Sequence, residues 1–194
     1  MQQKLNFLYM GNIAENYTDN FANGIVIEGI AIDDRTTFNG MNYAAELKEI
    51  AEQLVGLSVV FGSEFDHSYN VQDAVGKVIE AYYDPIDNVV RFKARITNNS
   101  THPDVEERIL RGDVPFVSIG GFAENVIDKG TYKLLRGIHV THLALTSMPG
   151  CKNAKIYRVK KIGESMEAFD ADLIFNNERI LRTYIRKKLF EKLR

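Results

Sequence analysis

Acyl transfer by a serine requires a hydroxyl, a base within hydrogen-bond reach of it, a group that orients the base, and donors for the oxyanion. The chain offers the first three from separated stretches: Ser118 in V-P-F-V-S-I-G-G-F (114–122), His67 in G-S-E-F-D-H-S-Y-N-V-Q-D (62–73), and His142 in V-T-H-L-A-L (140–145). Ser118 lies among the β-formers Phe116, Val117 and Ile119, where a buried strand would otherwise hold an apolar residue. The pair Gly120-Gly121 that follows lets a backbone, a ligand or a substrate chain come close. The same residues also read structurally, as a satisfied strand serine, a loop histidine and a core histidine. Spacing does not separate the two readings.

Two histidines remain. His102 precedes Pro103 and reads as a solvated residue at a helix start, while His139 shares a strand with His142. Regular alternation puts His142 on the face of Val140 and Ala144 and His139 on the opposite face, which argues against a metal site built from His67, His139 and His142. No metal or cofactor is expected. Cys151 is the single cysteine, so no intrachain disulfide forms; it reads as a small buried residue in a protein of a reducing compartment.

The elements that would position these groups follow from periodicity. With 194 residues, a net charge of −2 and 45% hydrophobic residues, the chain has the size and balance of one globular domain with an appended arm. That balance gives no global pull toward nucleic acid or an anionic membrane, and no apolar run has the length of a membrane span. Strands are expected at 24–34, with a bulge at Gly29, then at 57–61, 74–84, 88–96, 114–122, 137–150 and 155–159, with a further strand–turn–strand across 123–135. Asn39-Gly40 marks a turn. Helices are expected at 43–55, stopped by Gly56, and at 98–112, with Thr101 as N-cap and Gly112 as the stop. This is an α+β chain with a compact, barrel-like core of about seven strands flanked by helices. Residues 1–160 form the domain, 161–172 a linker, and 173–194 a basic amphipathic helical tail with Leu181, Tyr184, Ile185, Leu189 and Leu193 on one stripe.

The order of these pieces resembles the prohead (capsid maturation) proteases of tailed phages and, more distantly, the herpesvirus assemblins. The resemblance runs from about Gly24 to Val159. It rests on G-I-A-I-D-D-R-T-T-F-N-G-M-N-Y, similar to the family's Asn-Gly-x-x-Tyr entry to the first helix, and on F-D-H-S-Y-N-V-Q-D-A-V-G-K-V, with a histidine upstream of a V-G-K-V strand. It rests also on V-S-I-G-G-F, like the family's serine strand, and V-T-H-L-A-L-T-S-M-P-G, like its closing strand and turn. The order and spacing of the four together are more specific than any one of them.

The resemblance implies an assemblin-like fold and a serine endopeptidase with Ser118 as nucleophile, His67 as general base and His142 as third member. Many phage members place a carboxylate at this third position; H-L-A-L here matches the His-x-Ala-Leu of the assemblins, implying a Ser-His-His triad and a slow enzyme. The assemblins follow the strand with Gly-Arg-Arg, where this chain reads G-C-K (150–152). Lys152 is therefore one oxyanion candidate, and the backbone N–H groups near Ile119 and Gly120 are others. Relatives of the T-even type cleave after Leu/Ile-x-Glu, and I-G-E-S (162–165) at the linker implies self-cleavage between Glu164 and Ser165. The implied substrates are scaffold, core and major capsid proteins inside the assembling prohead, in the host cytoplasm, with a homo-oligomeric enzyme. The tail would dock on a scaffold or capsid partner through its stripe and Arg179, Arg182, Arg186, Lys187, Lys188 and Lys192; a nucleic-acid or membrane partner is not expected. The rival reading is a non-catalytic β-barrel assembly module of a capsid or tail tube.

Overall fold

The computed structural model describes residues 23–62, 67, 68 and 70–162. Their order is β1 (Ile25–Asp33), β2 (Met41–Asn42), α1 (Leu47–Leu54), β3 (Ser58–Phe61), β4 (Ala74–Asp84), β5 (Val89–Ile96), α2 (Val105–Arg111), β6 (Phe116–Asp128), β7 (Lys133–Thr146) and β8 (Lys155–Lys161). The expected tail, most of the linker and the Glu164–Ser165 bond lie outside the described residues.

Seven strands close on themselves in the order β7-β3-β4-β5-β1-β8-β6, with β6 returning to β7 and the short β2 appended. The barrel is mixed: β3 and β2 run parallel to β7, and the other pairs are antiparallel. Alternation fills its core. Ile25 and Ile27 of β1, Val90, Phe92, Ala94 and Ile96 of β5, and Val117 of β6 all point inward and are buried. Helix α1 adds Leu47, Ile50, Ala51 and Leu54, a three-and-four spacing that puts all four on its buried stripe. Its Gln53 side chain donates to the Ile138 carbonyl (2.8 Å) and accepts from the Val140 N–H (2.9 Å), occupying β7 backbone groups beyond the reach of β3, whose pairing covers Leu143 to Leu145.

The closure is uneven. β6 pairs with β7 along almost its whole length but with β8 at the single position Phe116–Lys155. Among the described residues the other edge of β6 therefore has no strand partner from about Ser118 onward.

The expected β4–β5 hairpin is present; the β1–β8 register shifts beside Gly29, but the extra residue there is Tyr157 of β8, and the extra residue of β1 itself is Ala31, against β5. A side chain at Gly29 would press on the Lys155 carbonyl at 2.4 Å and on the Phe92 ring. The pieces expected separately at 114–122, 123–135 and 137–150 join into two long strands of 13 and 14 residues. Helix α2 is a correction. It runs from Val105 with Asp104 rather than Thr101 as its N-cap, because the Asn99 side-chain carbonyl takes the N–H groups of Thr101 and His102, and its amide reaches the Gln72 and Ala74 carbonyls. That local competition holds residues 99–103 in a loop. Gly112 ends the helix in the left-handed region (φ 80°), as expected.

Candidate active site

Ser118 and His142 stand on paired strands. Ser118 faces Ala144 and Gly120 faces His142 across the β6–β7 ladder, so all four share one face of the pair, the face opposite the buried Val117, Leu143 and Leu145. The loop between β3 and β4 brings His67 over that face. Its Nε2 lies 3.0 Å from Ser118 Oγ, and its Nδ1 lies 2.7 Å from His142 Nε2. The structure thus brings the three sequence candidates into one chain of hydrogen bonds.

Two local features make the convergence possible. The first is the absence of a side chain at Gly120. A Cβ there would stand 2.2 Å from both Cε1 and Nε2 of His142 and 2.6 Å from His67 Nδ1, so the His67–His142 contact passes over bare backbone. The second is a bulge. Gly120 pairs with His142 but Gly121 pairs with Val140, leaving Thr141 as an extra residue in β7.

The bulge corrects the expectation drawn from regular alternation. Val140 is buried and shares the inner face with Gly121 and Ala123, whereas His142 and His139 both fall on the outer face. His139 still stands apart from the triad candidates: it stacks on Phe122 (4.8 Å between centroids) and bonds Glu124 (2.9 Å). Among the described residues no group of three or more His, Cys, Asp or Glu has the arrangement of a metal site.

His142 is buried, at 4% exposure, and burial with the adjacent His67 pushes its pKa down to about 4. It is a neutral imidazole at neutral pH and can only orient His67, not add charge to it. Thr141 Oγ1 lies 3.1 Å from His142 Nδ1 and donates to the Gly120 carbonyl at 3.1 Å.

Ser68, next to His67, is held by a network that the sequence does not announce. Ser68 donates to Asp73, and His102 Nε2 meets the other Asp73 oxygen at 2.8 Å. The Ser68 hydroxyl, then His102, hold the Asp73 carboxyl below its ordinary range. His102 is therefore not the solvated residue expected: it is mostly buried, edge-on to Phe61 with centroids 5.2 Å apart. Nothing in the sequence joins Asp73 to His102, twenty-nine positions away.

No family model matches the chain, and no curated protein does. Among solved structures it is similar to the capsid assembly protease gp21 of bacteriophage T4, at 18% identity and a TM-score of 0.50, over 64% of this chain and 82% of that one. The likeness shows a shared fold.

The oxyanion candidates divide by strand geometry. Val117 N–H donates to the Ala154 carbonyl on the β8 side, so alternation sends the Ile119 N–H to that same, open edge and the Gly120 N–H toward β7. Lys152 is exposed on the turn between β7 and β8. Next to Gly120 and Gly121 opens a cleft of about 290 Å³, with Met41, Tyr43, Ile119, Ala123, Ile138 and Val140 among its apolar walls. Cys151, buried beside Asp33, takes no part. Burial and the Asp33 carboxylate push its thiol up to about 11.

Proposed function

We propose that the chain is a serine endopeptidase of phage prohead maturation, with Ser118 as nucleophile, His67 as general base and His142 as the group orienting His67. The observation that carries the reading is the continuous Ser118–His67–His142 hydrogen-bond chain beside an open strand edge. The shared fold with a phage capsid assembly protease supports the setting. Assemblin kinship is part of the same reading and rests on the H-L-A-L strand.

A peptide adds to the free edge of β6 as an extended strand, with an apolar side chain in the cleft lined by Met41, Tyr43 and Ile119. Ser118 Oγ attacks the scissile carbonyl while its proton passes to His67 Nε2. The oxyanion is met by the Ile119 N–H, with Lys152 as a second, solvent-side candidate and Gly120 demoted by its orientation toward β7. The tetrahedral intermediate breaks at the C–N bond as His67 returns the proton to the leaving amine. Water then repeats the sequence on the acyl-enzyme. With a neutral His142 in place of a carboxylate, the imidazolium is less stabilised, which fits an enzyme that cuts each target once.

The substrates are scaffold, core and capsid proteins within the prohead, and the chain's own 164–165 bond, whose cleavage releases the basic tail. Ser118→Ala in the full chain tests this. Intact mass should show loss of residues 165–194 in the wild type and none in the variant, with equal thermal midpoints. Equal processing by both proteins would remove Ser118 from the mechanism and favour the non-catalytic barrel.

A further inference from the structure

We infer that Thr141 is a positioning residue that selects the tautomer of His142 and, through it, the basic nitrogen of His67; the inference rests on the triad reading above. The argument is donor–acceptor logic. The Gly120 carbonyl can only accept, so the Thr141 hydroxyl spends its one proton there, at 3.1 Å. The hydroxyl oxygen then faces His142 Nδ1 at 3.1 Å as an acceptor, and that nitrogen must carry the proton. A neutral His142 protonated on Nδ1 has a bare Nε2, which at 2.7 Å accepts from His67 Nδ1–H. His67 Nε2 is then left bare at 3.0 Å from the Ser118 hydroxyl, the form needed to take its proton.

Reversing any one bond would set two acceptors or two protons face to face. The order therefore runs in one direction, from Ser118 through His67, His142 and Thr141 to a backbone carbonyl whose own position fixes the last link. Thr141 reaches this position because it is the extra residue of β7, displaced from the regular ladder beside its neighbour's ring. In a carboxylate-based triad the acid enforces the tautomer by being an obligate acceptor. An imidazole can face its partner as donor or acceptor, so it requires something else to decide. Here the structure assigns that decision to the Thr141 hydroxyl.

The test compares full-length wild type, Thr141→Val and Thr141→Ser by long-range proton–nitrogen spectra of the histidine rings and by the rate at which a peptidyl phosphonate modifies Ser118. Wild type should show His142 protonated on Nδ1 and bare on Nε2, and His67 likewise. T141V should show mixed tautomers on His142 and about tenfold slower modification at an unchanged half-saturation concentration, while T141S keeps both properties. A wild-type His142 protonated on Nε2, or a T141V protein with the wild-type spectrum and rate, overturns the inference. If T141V does not fold, the wild-type and T141S spectra still decide it. A wild type that shows the expected spectrum yet leaves Ser118 unmodified would overturn the protease reading and leave the tautomer assignment standing.

Discussion

Replacing Gly120 by alanine is a severe test of the site for a single methyl group. The new Cβ would lie 2.2 Å from two atoms of the His142 ring and 2.6 Å from His67 Nδ1, pressed against both ends of the 2.7 Å bond between the rings. Ordinary contact begins near 3.4 Å, so His142 must retreat by about 1.2 Å and His67 by about 0.8 Å. The two rings are displaced unequally, and the 2.7 Å hydrogen bond between them loses its alignment. Misplacement of about 1 Å at a reacting group costs roughly a hundredfold in rate. Overpacking costs about 1–3 kcal/mol, part of it offset by the ~0.4–1 kcal/mol an alanine removes from unfolded-chain entropy. G120A should therefore stay folded with a modestly lower thermal midpoint while Ser118 phosphonylation slows about a hundredfold. His142→Ala removes the two closest clashes and leaves His67 Nδ1 at 2.6 Å, so adding G120A in that background should cost less than it does in the wild type. A folded G120A that reacts within about threefold of wild type, or costs that add fully in the double variant, would refute the steric reasoning.

Two further outcomes follow from buried groups. His142 has a folded pKa of about 4 against an ordinary 6.5, so the unfolded chain takes up that proton first as pH falls. Its contribution is full above 6.5 and declines toward pH 4 by as much as about 3 kcal/mol. Urea midpoints at pH 7 and 4.5 should diverge in the wild type more than in His142→Gln; parallel pH profiles would contradict the assignment. Cys151, with its thiol pushed up to about 11, should react with a thiol reagent at pH 8 roughly two hundredfold slower than in the urea-unfolded chain, and equal rates would refute its burial.

Much of the barrel was legible because its signals are local. The β4–β5 hairpin announces itself by alternation around P-I-D-N, and Gly29 marks the point where the β1–β8 register shifts, although the extra residue lies in β8. The start of α2 was misread because Thr101 and Pro103 are good helix-entry residues, and only contact with Asn99, Gln72 and Ala74 reveals the loop. Ser118, His67 and His142 were legible as residue types, but their distances depend on the β6–β7 register and on how Ser68, beside His67, is held by Asp73. For the same reason Asp73 and Thr141 do not stand out in the sequence, and His102 reads there as solvated. Each acts through a partner that one-dimensional spacing does not bring near, or through a bulge that no residue type marks.

Thr141 also bears on how this chain is compared with others. A threonine is as much at home in a regular strand as Val140 beside it, so nothing invites a gap at this position. An ungapped alignment to a strand without the extra residue would shift every position on one side of it by one, matching inward-facing residues to outward-facing ones. The third member of a triad would then be read off as a neighbour of the true equivalent. For proteins this divergent, correspondence at position 142 is better taken from the residue hydrogen-bonded to the base than from the column in which it falls.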